Sequence, residues 1–203
     1  MKMDELARQV KESSIKLAAA GTEIKNKALA HIAASLKEKK EEIIRANQED
    51  LERSEQENLP APLLKRLKFD EAKIADAIEG ISSLIKFEDP VGKTLLSTEL
   101  DDGLELYKVT CPIGVIGVIF ESRPDALVQI STLCLKSGNG VLLKGGSEAR
   151  ETNRLLAEII IGAAEEADIP SKWAALLETR DDVNDMLKMD RYIDLIIPRG
   201  SND

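Results

Sequence analysis

Apolar residues recur at intervals of three and four positions from the start of the chain to about residue 89. Within Glu23–Lys39 they form one stripe, and polar residues fill most of the positions between them, as in an amphipathic helix. Pro60 and Pro62 are predicted to break this pattern, and Asp70 is predicted to cap a further helix. The first part of the chain is therefore predicted to consist of helices.

The pattern then changes to two β-prone runs, TLLSTEL at 94–100 and LELYKVT at 104–110. Between them lies Asp101-Asp102-Gly103, and an Asp-Gly pair in this position is a strong signal for a hairpin. We predict an antiparallel hairpin that lies outside the main core and that is available to pair with another subunit.

From Pro112 onward, short apolar runs alternate with helical patterns. The run GVIGVIF at 114–120 is continuously apolar, as in a parallel strand buried on both faces, and its Gly114 and Gly117 are predicted to allow close packing against a helix. Further strands are predicted at 141–144, 173–177 and 193–198, with helices between them. The fold class is thus predicted to be α/β, with an open parallel Rossmann-like sheet and right-handed crossovers.

The composition excludes several classes of protein. The 203 residues include 28 Lys and Arg against 37 Asp and Glu, and the net charge of -9 is a poor match for a phosphate backbone. No apolar run approaches the roughly 18 residues of a membrane span, and the polar N-terminus has no signal-peptide core. We therefore expect a cytoplasmic protein that binds neither nucleic acid nor membranes.

The residue types that most often bind metals or act as nucleophiles are scarce. His31 is the only histidine, which excludes zinc sites built on several histidines. Cys111 and Cys134 have no metal-binding spacing and are predicted to be small packed hydrophobic residues. We predict no metal site.

The best candidate site is Lys144-Gly145-Gly146-Ser147, at the end of the second parallel strand. Glycines there let the backbone approach a ligand, and the N-terminus of the following helix favours an anion. Many dinucleotide-binding folds have an acidic residue at this point for the ribose; a lysine suits a 2′-phosphate, which favours NADPH. Arg150, one turn later, is a possible assistant. The alternative is a solvated lysine beside a tight turn.

Two other strand ends offer weaker candidates. Ser122 is placed to donate to an oxyanion, and Arg123 to bind a carboxylate or an acyl phosphate. The alternative for Glu121 and Arg123 is an ion pair with each other or with another element. Gly200-Ser201 follows the last strand, where it would serve a phosphate or nicotinamide site or act as a simple helix cap.

The segment PIGVIGVIFESRPDALVQISTLCLKSGNGVLLKGGSEA, at 112–149, closely resembles the γ-glutamyl phosphate reductase family, also called glutamate-5-semialdehyde dehydrogenases. This family belongs to the aldehyde dehydrogenase superfamily, and its SRPD and LLKGGSEA blocks are specific. The resemblance covers essentially the whole chain and includes IDLIIPRGSND at its end.

The resemblance implies an activity. Members of the family reduce L-glutamate 5-phosphate to L-glutamate 5-semialdehyde with NADPH and release phosphate, as the second step of proline biosynthesis from glutamate. A cysteine thiolate attacks the acyl phosphate, and the thioester then accepts a hydride. A homo-oligomer is expected, and the upstream glutamate kinase is a candidate partner.

The resemblance also assigns roles to residues. Lys144 matches the superfamily lysine that binds the adenosine ribose or its phosphate, and Ser147 falls where NAD-preferring relatives usually have a glutamate. Gly200-Ser201 matches the Gly-Ser that opens a helix near the cofactor pyrophosphate. Ser122 falls where typical aldehyde dehydrogenases have the oxyanion-stabilising asparagine, a departure that leaves its oxyanion role open.

The catalytic cysteine of the family lies well beyond the IPRGS segment, in a chain roughly twice as long. We therefore interpret this chain as an N-terminal half with no catalytic residue of its own and expect the nucleophile beyond residue 203. The alternatives are a non-catalytic fragment that binds a nucleotide or a partner, and a CoA-acylating aldehyde dehydrogenase, against which the SRPD and KGGS blocks argue. The chain is divided into a helical part of the cofactor-binding domain at 1–92, a hairpin for oligomerisation at 93–111, and an incomplete Rossmann-like NADP-binding part at 112–203.

Overall fold

The computed structural model describes residues 2–199. Asp70 caps its fifth helix as predicted, because its carboxylate accepts the backbone N–H of Lys73 at 3.1 Å. Pro62, in contrast, does not break a helix. It lies in the first turn of a short one, where the missing N–H of a proline costs no hydrogen bond. The N-terminal helices are α1 (Met3–Ala18), α2 (Thr22–Glu38), α3 (Lys40–Gln56), α4 (Ala61–Leu67) and α5 (Glu71–Lys86).

The predicted hairpin is confirmed. Strands β1 (Thr94–Asp101) and β2 (Leu104–Val109) pair antiparallel. Gly103 occupies the turn with a φ of 73°, a conformation that side chains with a Cβ disfavour. Every residue of both strands is exposed, so the hairpin lies outside the core.

The rest of the described chain builds a four-stranded parallel sheet in the order β5-β4-β3-β6. β3 pairs with both β4 and β6, so the chain reverses its direction across the sheet beside β3. The α/β class and the parallel sheet predicted from the sequence are confirmed. The strands are β3 (Val115–Ile119), β4 (Gly140–Lys144), β5 (Ala174–Leu176) and β6 (Leu195–Pro198), and the helices between them are α6 (Pro124–Lys136), α7 (Arg150–Glu165) and α8 (Arg180–Met186).

Alternate residues of the inner strands enter two hydrophobic clusters, one on each face of the sheet. Ile116 and Val118 pack into the larger cluster, to which α2, α5, α6 and α7 contribute. Val115 packs into the smaller one with residues of α1 and α8. Gly117 also faces α8, because a Cβ there would lie 2.9 Å from Sδ of Met186. Its predicted role in close packing against a helix is therefore confirmed.

Gly114 does not have the role that the sequence predicts. It precedes β3 instead of lying within it, and its φ of 124° disfavours any residue with a Cβ. A Cβ there would lie 2.1 Å from Oδ2 of Asp194. That carboxylate accepts the N–H of Val115 at 2.7 Å and pairs with Lys11 at 2.6 Å, so Gly114 makes room for a polar contact and not for a helix.

The edge strand β6 presents apolar side chains. Leu195 and Ile197 lie in register with Ile116 and Val118, on the face of the sheet that carries α6. They are 39% and 44% exposed. No helix within residues 2–199 combines the length and apolar character that a membrane crossing would require.

Candidate functional site

The carboxyl ends of the parallel strands meet at one cavity of about 700 Å³. Open α/β sheets bind ligands outside these ends, where the strand order reverses. Here that point lies between β3 and its two neighbours. Candidates from two separate stretches of sequence line this cavity together: Ser122, Lys144, Gly145, Gly146 and Ser147.

Lys144 ends β4 with its side chain partly buried, and its Nζ donates to the carbonyl of Gly145 at 2.5 Å. Burial lowers the pKa of Lys144 from the ordinary lysine value of 10.5. Glu148 and Asp182 oppose this lowering of its pKa, and the charge of Arg180 adds to it. An anion entering the cavity would raise the pKa of Lys144 again, because it favours the charged form.

The two glycines after Lys144 lie where side chains would collide with neighbours. A Cβ on Gly145 would stand 2.3 Å from Nδ2 of Asn153 and 3.1 Å from the ring of Phe120. A Cβ on Gly146 would stand 2.4 Å from Oε1 of Glu148. Oδ1 of Asn153 is buried and has no hydrogen-bond partner in the described part of the chain. A side chain at Gly145 would therefore displace buried neighbours, whereas Glu148 can move away from Gly146. The bare backbone of the loop is open to close approach by a ligand.

The N-terminus of α7 does not offer the anion site that the sequence suggests. Asp50 of α3 already occupies it, because its carboxylate accepts the N–H groups of Glu151 at 3.2 Å and Thr152 at 2.8 Å. It also accepts the hydroxyl of Thr152 at 2.7 Å, and its side chain is fully buried. An anion in the cavity is therefore not stabilised by these two amides.

The same helix holds the glycine loop in place. Nη2 of Arg53 pairs with Asp50 at 2.5 Å and donates to the carbonyls of Glu148 at 3.0 Å and Ser147 at 3.4 Å. Arg150, suggested above as an assistant to Lys144, instead pairs with Glu151 at 2.8 Å and does not line the cavity.

The side chains of the residues that follow β3 point to different places. The Ser122 side chain is buried and faces the cavity, whereas Arg123 lines a neighbouring groove and pairs with Asp125 at 2.6 Å. Glu121 pairs with Arg66 of α4 at 3.2 Å. Both residues therefore form ion pairs, with partners that the sequence did not single out.

The neighbouring groove, of about 900 Å³, runs between α6 and β6 and is mainly apolar. Both cysteines line it. Burial raises the pKa of the Cys134 thiol to about 12, so this residue is a packed hydrophobic side chain as predicted. Cys111 is exposed, and the prediction that it is packed is wrong, because the hairpin exit leaves its side chain at the rim of the groove.

Two predictions fall outside the described part of the chain: Gly200 and Ser201 follow its last residue. Within residues 2–199, no cluster of His, Cys, Asp and Glu side chains is arranged to hold a metal ion. Sequence reasoning missed Arg180, which the structure places in the cavity wall. No motif surrounds Arg180, so the sequence alone gave no clear signal for it.

No protein-family model matches the chain. Its fold is that of aldehyde dehydrogenases. A probable aldehyde dehydrogenase from Listeria monocytogenes superposes on 97% of this chain with a TM-score of 0.72, at 15% sequence identity and over 42% of its own length. This likeness establishes the class of fold alone.

The sequence gives the closer relation. The chain is 80% identical over all 203 residues to the gamma-glutamyl phosphate reductase of Pelotomaculum thermopropionicum and 76% identical to that of Acetivibrio thermocellus, covering 47% of each. The crystal structure of gamma-glutamyl phosphate reductase from Thermotoga maritima matches the whole chain with a TM-score of 0.95 at 36% identity, over 49% of its length. The chain is a homologue of gamma-glutamyl phosphate reductase and spans about half the length of the relatives it matches.

Proposed function

We propose that this chain is the nucleotide-binding part of an enzyme that reduces L-glutamate 5-phosphate to L-glutamate 5-semialdehyde and releases phosphate, in proline biosynthesis. The observation that carries this proposal is the 80% identity, along the whole chain, to a relative named gamma-glutamyl phosphate reductase. The cavity at the carboxyl ends of β3 and β4 supports it, since open α/β sheets bind their ligands there.

The proposed cofactor is NADPH, which supplies the hydride in such a reaction. The described residues fit it, because the cavity is lined by basic side chains and by the backbone of two glycines. Lys144 would hold the 2′-phosphate, and Gly145 and Gly146 would admit the nucleotide to the backbone. NAD-preferring relatives usually have a glutamate at the position of Ser147, and serine there would avoid repulsion between a carboxylate at this position and the 2′-phosphate. Gly200 and Ser201 stay proposed for the pyrophosphate.

The substrate side of the site is proposed to involve the end of β3. Ser122 faces the cavity and is proposed to donate to the reacting oxygen, while Arg123 is proposed to contact the substrate after leaving Asp125. Neither cysteine is proposed as the nucleophile. The buried thiol of Cys134 resists ionisation, and Cys111 lies at the hairpin exit. The nucleophile is proposed to come from outside these residues, in the cytoplasmic parent protein, for which the glutamate kinase that makes the acyl phosphate is a candidate partner.

The reverse reaction gives a direct test. The intact protein is expected to form NADPH from NADP⁺ when it is given glutamate 5-semialdehyde together with phosphate, as measured by the absorbance of NADPH. Reactions without phosphate, and reactions with NAD⁺, are the controls and are expected to be much slower. NADPH formation that does not depend on phosphate, or none at all, would rule out the proposed activity.

The hairpin is proposed to pair with a second copy of the chain. Leu96, Leu104 and Leu106 share one face of it and are 53–56% exposed, an apolar surface typical of an interface. Replacing Leu106 with lysine is expected to lower the mass of the intact protein in light scattering, because a charge would enter that interface. Ser97→Lys, on the opposite face, is the matched control. An unchanged mass in Leu106→Lys would argue against this interface.

A further inference from the structure

Basic side chains gather around the cavity of an otherwise acidic chain. The net charge is -9, yet Lys144, Arg180 and Arg199 all line these 700 Å³. Two carboxylates, Glu121 and Glu148, line it as well, and Glu121 is engaged by Arg66 at 3.2 Å. The balance of charge at this place is therefore opposite in sign to that of the whole chain, which suits an anionic ligand.

Arg180 is the member of this set whose charge acts directly on Lys144. It is exposed at the start of α8, and no carboxylate in residues 2–199 forms an ion pair with it. Two of the nearby acidic groups are engaged elsewhere. Oδ2 of Asp182 accepts the N–H groups of Glu178 and Thr179 at 3.1 and 2.8 Å, and Glu178 binds Arg154 through both oxygens at 3.0 and 2.9 Å.

Arg180 stands close enough to Lys144 for their charges to interact. Both line one cavity, and the charge of Arg180 contributes to lowering the pKa of Lys144. Two like charges side by side repel each other, and this repulsion is relieved when a group with two negative charges binds between them. A phosphate monoester is such a group.

The N-terminus of α7 does not serve that phosphate. The first amides of α7 that would serve an anion, those of Glu151 and Thr152, already donate to the buried carboxylate of Asp50. These two amides therefore cannot compensate the charge of the phosphate, and basic side chains are needed there. An arginine adds what a lysine lacks, since its planar fork can hold two phosphate oxygens at once while an ammonium acts as a point charge.

We propose that Arg180 is a second specificity-determining cation of this site and that it binds the 2′-phosphate of the nucleotide together with Lys144. This inference rests on the proposed function, because it takes the cavity to be the NADPH site. Arg180 would then share with Lys144 the discrimination between phosphorylated and unphosphorylated ribose.

The test uses fragments of the cofactor, so that it does not depend on turnover. The affinities of the intact protein for adenosine 2′,5′-bisphosphate and for AMP are measured by calorimetry. Arg180→Gln is expected to weaken bisphosphate binding about tenfold to a hundredfold and to change AMP binding less than about twofold. Arg180→Lys is expected to recover part of the loss. Arg45→Gln, which removes the same charge from an exposed position on α3, is the matched control and is expected to alter neither affinity.

The outcomes separate the two proposals. If the unaltered protein prefers the bisphosphate and Arg180→Gln keeps that preference in full, the role of Arg180 is wrong while the NADPH site stands. If Arg180→Gln weakens both ligands equally, the role is again wrong, because Arg180 then contacts a part that both share. If the unaltered protein binds the two ligands equally well, the proposed NADPH preference itself fails.

Discussion

Replacing Lys144 with alanine is expected to raise the KM for NADPH in the intact protein while changing kcat much less. The side chain lies partly buried in the cavity wall, and its contact with the nucleotide is expected in the ground state and in the transition state alike. A hydrogen bond to a charged group contributes about 1.5–3 kcal/mol, which corresponds to an increase in KM of about tenfold to a hundredfold. Steady-state kinetics at varied NADPH concentration measures the two constants separately.

The pH dependence gives the same prediction an independent readout. Only the protonated form of Lys144 attracts the phosphate, and burial lowers the pKa of this lysine from 10.5. Glu148 and Asp182 oppose that lowering, whereas Arg180 adds to it. The affinity for NADPH is therefore expected to fall as the pH rises. This fall is expected to begin at a lower pH than it would if Lys144 had the pKa of an ordinary lysine.

Lys144→Arg is the control, because an arginine stays charged over the whole range. Its affinity for NADPH is expected to lack the alkaline fall seen with lysine. A KM that is the same in Lys144→Ala and in the unaltered protein would contradict the assignment of Lys144 to the 2′-phosphate. NADH serves as the comparison ligand, and its KM is expected to change little.

Replacing Asp50 with alanine is expected to lower the free energy of unfolding by about 3–5 kcal/mol, because each buried donor left without an acceptor costs about 1–3 kcal/mol. Asp50 is fully buried and accepts hydrogen bonds from the backbone of Glu151 and Thr152, from the hydroxyl of Thr152 and from Arg53. Its removal leaves these donors without a partner and Arg53 without its counter-charge. Urea denaturation of the intact protein measures the loss.

Glu49→Ala is the matched control, since Glu49 is an exposed carboxylate on the same helix, and its effect is expected to stay within about 0.5 kcal/mol. Binding gives a second readout, because Arg53 also donates to the carbonyls of Ser147 and Glu148. Without urea, where Asp50→Ala is still folded, the loosening of this loop is expected to weaken NADPH binding. Equal unfolding energies for Asp50→Ala and Glu49→Ala would overturn this account of α3.

The parts of the fold that the sequence predicted correctly depend on neighbours close in the chain. The turn at Gly103 follows from its Asp-Gly pair, and the cap at Asp70 from one side chain three residues before the amide it binds. The apolar runs of β3 and β4 indicate strands buried on both faces. The prolines do separate α3 from the following helix, but the sequence did not indicate that Pro62 lies in the first turn of that helix.

The candidate site was predicted in part for the same reason. Lys144 and the two glycines after it form one continuous motif at a strand end, and the structure places them in the cavity wall. Ser122 joins them because the ends of neighbouring parallel strands meet at one edge of the sheet. Arg180 was missed because no motif surrounds it, and only the path of the chain through β5 and α8 brings it to that edge.

The sequence by itself determined the helices, the hairpin, the parallel strands and the position of the lysine-glycine motif, because each is encoded by periodicity and by turn residues within a few positions. Only the tertiary structure decided that β6 pairs with β3, that Asp50 fills the N-terminus of α7 about a hundred residues away, and that Arg180 stands beside Lys144. These depend on which elements pack together and on the direction of individual side chains. The first amides of a helix need an acceptor, and here a buried carboxylate from a distant helix provides it. A local sequence pattern does not specify such a contact.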